Sequence, residues 1–374
     1  MPSPLLPLDE ALAMIRAALP AKGLARITAD RDDPALDRSA MDGAALRCTD
    51  GEASRLIIGT LFAGVDPSTF HLGPHEAVRI MTGAAVPAGA DAVVPVEDLR
   101  IEGDQLAPTR PPRPAEAIRV RGSQAKAGDI LLPDGVPFTA ARAGLAAQVG
   151  MKLEWPRPRI QVGIASTGDE LVGEPLPHQI RDSNGPMLSA LAHRLGADAR
   201  KLPSLPDDPE ALRQRFMNLG EVRVLLTSGG VSMGEKDYLP EVLKELGAHI
   251  LFHKIRLKPG KPMLVAILDD HVILGLPGNP QSAYLNALLF LPLVLSRLEG
   301  RSEPNPWHCG HLVEAVKNPG ERPLLMPCAL QDDRLIPLRS KGSGDLITLA
   351  KADVCAWIPE GGMEAGETKY IQVL

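Results

Sequence analysis

Aromatic residues are scarce in this sequence: Phe, Trp and Tyr together make 3% of its 374 positions. Single-stranded nucleic acid is held largely by stacking its bases on aromatic rings, so a binder of that class is excluded. Positive charge is also in short supply, with 40 Lys and Arg against 46 Asp and Glu and a formal net charge of −6. A summed field of that sign draws in neither nucleic acid nor an anionic membrane surface, and any anionic ligand must be met by local positive groups. Cysteine is limited to Cys48, Cys309, Cys328 and Cys355, far apart and without a CxxC pair. That excludes a disulfide framework and fits reduced thiols in a cytosol. Long hydrophobic runs are missing as well, since the longest, residues 284–295, is too short to span a bilayer and contains Pro292. It reads as a buried helix. The opening MPSPLLPLDEALAMIRAALP is broken by prolines and carries Asp9 and Glu10 where a secretory signal needs basic and then apolar residues, so a cytoplasmic location is expected.

What is present argues for several domains. The length exceeds what one hydrophobic core usually serves, and apolar residues at 44% can fill more than one. Gly and Pro lie between patterned segments as turns and linkers, and two linkers divide the chain, at residues 154–159 and 299–306. The expected parts are residues 1–31 with 126–155 as a helical and extended packing unit and residues 32–125 as a β-rich domain. Residues 156–300 follow as an α/β domain and 301–374 as a C-terminal β-barrel-like domain.

The α/β assignment rests on alternation. A strand over 159–167 is followed by a helix with Pro186 at its first position, Leu188, Leu191, Ala192 and Leu195 on one face, and Gly196 as its stop. Asp208 and Pro209 open a second helix that places Leu212, Phe216 and Leu219 on one side. Then come a strand over 221–227, a helix over 239–246, a strand over 271–276 and a helix from Pro280. This order predicts a mainly parallel sheet between helices, with β-rich domains flanking it.

Ligands of such sheets bind beyond the carboxyl ends of the strands. Three strands end there in unusual loops: STGDE (166–170), TSGGVSMGEKDY (227–238) and LPGNPQS (276–282). Ser166, Thr167, Gly168, Ser228, Gly229, Gly230, Pro277, Gly278, Asn279 and Pro280 are therefore candidate binding residues, because glycines let backbone N–H groups approach an anion and a helix start adds its dipole. Tight β-to-α turns would use the same residue types. The segment HKIRLKPGKP (253–262) adds Lys254, Lys258 and Lys261, spaced by prolines in a way that suits point charges along a phosphate chain, although a solvated basic turn reads alike. Carboxylates stand in turn motifs at Asp42, Asp169, Glu170, Asp182, Asp207 and Asp237. Several of them converging with water and phosphate oxygens would suit Mg²⁺, whereas Asp207 and Asp237 could equally cap helices and Asp42 could close a turn.

Taken in order, RSAMDG (38–43), RIMTGAAVPAGADAVVPVED (79–98), STGDEL (166–171), RDSNGPML (181–188), TSGGVSMGEKDY, KPGKP (258–262) and LPGNPQS resemble the successive signatures of the MoeA and gephyrin E-domain family, the molybdopterin molybdenumtransferases. The resemblance covers nearly the whole chain. It implies a central three-layer α/β molybdopterin-binding domain with flanking β-rich domains. It also implies molybdenum cofactor biosynthesis, in which molybdate enters adenylylated molybdopterin as AMP leaves, with Mg²⁺ or another divalent cation. By the same likeness the catalytic set is Asp42, Thr82, Glu170, Asp207, Asp237, Lys254 and Lys258, with Glu170 and Asp237 as metal ligands. Asp182, Lys261, Pro277, Pro280, Arg322 and Ser343 join the ligand set. The family further implies a homodimer in which Asp42 and Thr82 reach the partner's site, and contact with the upstream adenylyltransferase and with acceptor molybdoenzymes.

Four positions depart from the family pattern: Ala44 where a tyrosine is usual, Ala117 where NxR is usual, and Ser123 and Gln124 in place of two carboxylates. A non-catalytic pterin-binding or scaffold paralogue is the alternative those departures favour. The related adenylyltransferase step is another, but the large flanking domains argue against it.

Overall fold

Helix α1 (Leu8–Ala18) carries Leu8, Ala11 and Ile15 on its buried side, the three-to-four spacing that keeps residues on one helix face. The structure, a computed structural model, describes residues 5–20, 23–152, 159–168, 170–205, 208–231 and 237–374. These fall into two compact units, one of Met1–Gly23, Pro137–Thr139 and Glu154–Leu374, the other of Leu24–Val136 and Ala140–Leu153. Helix α1 belongs to the first, where Leu8, Ala11 and Ile15 join the core of the α/β layer. Of the expected grouping of 1–31 with 126–155, residues 1–23 fall in the larger unit and 24–31 in the smaller. Residues 24–29 do pair with 129–136: Ile27 and Thr28 with Leu132 and Ile130, Leu24 with Val136, and the N–H of Ala29 with Asp129 O at 2.9 Å.

The smaller unit is built on a six-stranded sheet. Its strands are β1 (Gly43–Leu46), β2 (Arg55–Leu61), β3 (Glu76–Ile80), β4 (Ala92–Pro95), β5 (Leu99–Glu102) and β6 (Gln105–Pro108), in the order β4-β1-β3-β2-β6-β5. Strand β1 is an inner strand and buried on both faces. Ala45 packs with Val78, Ile80 and Val93 on one side, and Ala44 with Leu46, Ala92 and Val94 on the other. The family departure at Ala44 is thus a core position. Helix α2 (Ala140–Gln148) completes the unit.

Ser123 and Gln124 are exposed in the loop after residues 118–119. Ala117 sits at φ +46°. A left-handed backbone costs a side-chain-bearing residue about 1–2 kcal/mol. Ala117→Gly should relieve this strain by more than the added freedom of the unfolded chain takes away. A net gain of about 0.5 kcal/mol is expected, read as a small rise in the denaturant midpoint; a loss of stability would contradict the strain.

The larger unit contains β7 (Gln161–Ser166), α3 (Asn184–Arg194), β8 (Asp198–Lys201), α4 (Pro209–Met217), β9 (Val224–Ser228), α5 (Leu239–Glu245), β10 (His249–His253), β11 (Leu264–Leu268), β12 (His271–Leu276) and α6 (Pro280–Glu299). The sheet order is β8-β7-β9-β12-β11-β10. Strands β7, β8, β9 and β12 run parallel, and β11 is antiparallel to both of its neighbours. Alternate residues face opposite cores. Val162, Ile164, Val224, Leu226, Val272 and Leu274 meet α1, α3 and α6, while Ala165, Leu225 and Ile273 meet α4 and α5. Cover on both faces explains why these strands read as unbroken apolar runs.

A closed barrel follows, made of β13 (His308–Leu312), β14 (Leu324–Gln331), β15 (Arg334–Pro337), β16 (Val354–Ile358) and β17 (Gly366–Gln372) in the order β13-β15-β14-β16-β17. Leu312, Cys328, Leu335, Val354 and Ala356 fill it, and Leu325, Cys355 and Ile371 on its outside pack into the core around α6. Among the described residues no helix is long and apolar enough to cross a membrane.

Two helix starts test the expected boundaries. Asp208 does cap α4, its side chain accepting from the N–H of Ala211 at 2.7 Å. Helix α3 begins at Asn184, two residues before the expected Pro186, because the Asp182 carboxylate accepts from the N–H of Gly185 at 2.8 Å.

Candidate functional site

Strands β7, β9 and β12 are parallel neighbours, so Ser166, Ser228 and Leu276 end at the same sheet edge. Beyond them lies a cavity of about 360 Å³. Thr167 and Glu170 line it from the first loop, Ser228 from the second, and Gly278, Asn279 and Pro280 from the third. Asp182 lines it too, next to the apolar Leu171 and Ile180.

The loops brace one another. The N–H of Thr167 donates to Ser228 O at 2.9 Å, and the N–H of Gly229 to Leu276 O at 2.9 Å. These amides are therefore spent on the frame. The N–H of Gln281, in the first turn of α6, likewise goes to Ser343 O at 3.1 Å, so this helix start offers fewer free donors than its sequence suggests. Gly229 has φ +102°, and a Cβ there would fall 2.3 Å from Thr167 Oγ1. Gly230 is also left-handed, at φ +70°. Gly168 has φ +131°, and a Cβ there would meet the Glu170 carboxylate at 2.4 Å.

Residues 182–184 tie these loops together. Asp182 accepts from Ser166 Oγ at 2.9 Å and pairs with Lys201 Nζ at 2.8 Å. Burial acts to raise its carboxyl, but the bonds from Lys201, Gly185 and Ser166 outweigh it and hold Asp182 below the ordinary carboxylate range. Asn184 donates from Nδ2 to Ser228 Oγ at 2.5 Å and to Gly278 O at 2.7 Å. Asn184 and Lys201 were not among the residues singled out from sequence. The RDSN motif pointed at the first, and nothing local points at the second.

The lysine segment lines a different cavity. Lys258 and Ser343 border a space of about 380 Å³ together with Gln281 and Arg339, against a floor that includes Leu324 and Met326. The two spaces flank the first turn of α6, Pro280 lining one and Gln281 the other. Asn279 Nδ2 donates to Ser343 Oγ at 2.9 Å across this turn. Arg322 is tied to the same segment through Nη1, which donates to Leu257 O at 2.9 Å. Lys254 sits at φ +85°, Lys261 is exposed and Pro277 is buried.

In the smaller unit Asp42 and Thr82 are brought together, 40 positions apart in sequence. The Thr82 N–H and hydroxyl each donate to Asp42 Oδ1 at 2.7 Å, and those two bonds hold the carboxyl below its ordinary range. Asp237 stands just before α5. Asp169 and Asp207 lie outside the described residues. Among the described residues no three His, Cys, Asp or Glu side chains gather as a ready metal cage.

Two family models match the chain: one described as "MoeA N-terminal region (domain I and II)" over residues 6–150, and one described as "Probable molybdopterin binding domain" over 163–296. A molybdopterin molybdenumtransferase of Synechococcus elongatus is 39% identical over 309 residues, covering 78% of this chain and 76% of the relative. The chain belongs to the molybdopterin molybdenumtransferase family. A family member from Staphylococcus aureus is 32% identical over 91% of this chain and 86% of its own length. The crystal structure of the molybdopterin biosynthesis MoeA protein from Pyrococcus horikoshii superposes with a TM-score of 0.74 at 28% identity, covering 99% of each chain. Within this molybdenumtransferase framework the cavity at the sheet edge belongs to the segment matched by the molybdopterin-binding model.

Proposed function

We propose that this chain binds adenylylated molybdopterin at the carboxyl edge of its α/β sheet and inserts molybdate into the pterin dithiolene as the phosphoanhydride linking AMP to the pterin phosphate is hydrolysed and AMP leaves. The observation that carries the reading is the convergence of three strand-end loops on one cavity in a chain of this family. The apolar Leu171 and Ile180 offer a wall for a planar ring, and Ser228 and Asn279 offer polar contacts beside it. Lys258 and Arg339 in the neighbouring space, with Lys254, Lys261 and Arg322 on the same or adjoining segments, would offset the repulsion between molybdate and the pterin phosphates. Such repulsion grows as water is excluded, so charge neutralisation and positioning would supply most of the rate.

The donor set fits Mg²⁺ or a similar hard cation. Such ions keep waters and substrate phosphates and take only one or two carboxylates from the protein, and Glu170 already lines the cavity. Glu170 and Asp237 would hold it, and when bound it would stabilise charge on the leaving phosphate. Asp207 would join the catalytic set by family likeness, and Asp182 lines the cavity as a binding residue. Asp42, whose carboxyl is held below its ordinary range by the bonds from Thr82, would complete the site from a second copy, and the active form would then be a homodimer. The upstream adenylyltransferase and the acceptor molybdoenzymes would be its transient partners, in the cytoplasm.

The test is AMP release from adenylylated molybdopterin with and without molybdate. Wild type should respond to molybdate, and Asp237→Ala should be slower by at least about 100-fold, the scale of losing one charged group from a phosphoryl site. Light scattering should give twice the chain mass. Wild-type release equal to that of Asp237→Ala, with substrate binding intact, would favour a non-catalytic paralogue. A monomer that turns over would end the shared-site reading.

A further inference from the structure

One charged side chain near the cavity is unused by the reading above. Lys201 ends β8, the edge strand, and does not line the cavity, yet its Nζ lies 2.8 Å from Asp182 Oδ2. The pair is unequal: the lysine side chain is 51% exposed and the aspartate 14%. The contact is close enough to dictate the residue beside it. A Cβ at Gly185 would fall 2.4 Å from Asp182 Oδ2 and 3.2 Å from Lys201 Cε, so lysine, carboxylate and helix start pack as one block.

That block controls more than its own neighbourhood. Asp182 also holds Ser166 Oγ and the N–H of Gly185, which fixes the end of β7 and the start of α3. Two positions on, Asn184 uses both protons of its amide on Ser228 Oγ and Gly278 O, which fixes the ends of β9 and of the loop after β12. Its amide cannot flip, because the oxygen would then face the Gly278 carbonyl. Four strand ends are thereby cross-linked by two side chains, and Lys201 is the ammonium that holds the charged one, Asp182.

We propose that Lys201 is a positioning residue for the ligand cavity, acting through Asp182 to keep residues 182–184 where Asn184 can fix Ser228 and Gly278. The role in catalysis rests on the function proposed above, but the coupling between β8 and the two remote loops does not. A side chain that shapes the empty cavity contributes alike to bound substrate and transition state. Its loss therefore raises KM and leaves kcat alone.

The experiment compares wild type, Lys201→Met and Lys201→Arg. Kinetics of molybdate-dependent AMP release give KM and kcat, anaerobic titration with adenylylated molybdopterin gives Kd, and hydrogen exchange of the unliganded protein reads the loops. Lys201→Met should raise KM and Kd roughly tenfold with kcat within twofold, and should speed exchange over 228–230 and 276–280. Lys201→Arg should restore all of these. Exchange that changes only around residues 198–203 overturns the proposal, as does an unchanged Kd or an arginine that behaves like methionine. If Lys201→Met does not fold, Asp182→Asn must show the same exchange in both remote loops, and its failure to do so is equally fatal. Should wild type release no AMP, the transferase reading falls while Kd and exchange still decide the coupling.

Discussion

Gly43→Ala, the addition of one methyl group, should prevent the smaller unit from folding stably. Gly43 starts β1, the inner strand beside the edge strand β4, opposite Ile80 of β3 and Pro95 of β4. An alanine Cβ would lie 2.0 Å from Val94 O and 2.8 Å from Val94 C. No side chain can rotate away, because both atoms are backbone. Strand β4 would have to retreat by more than 1 Å, about the gap between that contact and ordinary van der Waals distance, and the register from Gly43 to Leu46 would open with it. Loss on this scale belongs to the rare class above about 4 kcal/mol, most of what a typical domain has. Gly51 is the control: at φ +57° and ψ −132° with nothing within 4 Å of its Cβ, Gly51→Ala meets no atom and should cost only the conformational strain of about 1–3 kcal/mol. Denaturant melts of the two variants separate steric from conformational cost, and a Gly43→Ala midpoint near that of wild type would refute the packing. The role proposed for Asp42 would suffer with it, since its backbone carbonyl accepts from the N–H of Val96 at 3.0 Å and would lose this anchor.

The sequence signals that held were those written in consecutive residues. Asp208 before Pro209 announces a cap, Asn279 before Pro280 announces α6, and both are where the structure has them. The strands 161–166, 224–228 and 271–276 were legible because, after Gln161 and His271 at their starts, every residue is buried and apolar or small. Strands β8, β10 and β11 were not read. The first is an exposed polar edge, and the other two flank the basic segment, whose charge masked their pattern. The start of α3 was misplaced since Pro186 looked like a first helical residue, while the true N-terminal acceptor is a side chain, Asp182. For the site, the three loops could be assembled by the rule that parallel strands share a carboxyl edge. Which side chains bind them together could not. The bonds of Asn184 span 44 and 94 positions, and nothing local in RDSN or in DARK specifies either them or the Lys201 pair. The same limit hides from the sequence that Lys258 lines the neighbouring space and not the loop cavity: the first turn of α6 stands between them.

Gly229→Ala should remove ligand binding while leaving the fold in place. The residue has φ +102°, where an L side chain is strained whatever the space, and its Cβ would lie 2.3 Å from Thr167 Oγ1 and 3.1 Å from Thr167 O. Rotating the threonine would relieve the first contact only by giving up its bond to Ser228 O, now 3.0 Å, which braces the first loop on the second. The third loop is also within reach, since an ideal Cβ on Gly278 would sit 3.8 Å from Gly229 Cα. The strain therefore spreads into the three loops that line the cavity and not into either hydrophobic core. Kd for adenylylated molybdopterin should rise at least 100-fold, or about 2.7 kcal/mol, with the denaturant midpoint only slightly lower. Gly230→Ala supplies the comparison. Its φ of +70° carries the conformational cost of about 1 kcal/mol, but its Cβ would meet Thr167 Oγ1 at an ordinary 3.6 Å, so roughly fivefold weaker binding is expected. Equal losses at both positions would mean that conformation rather than contact sets the effect. Unimpaired binding by Gly229→Ala would mean that these loops do not cradle the pterin nucleotide, and the proposed site would have to move.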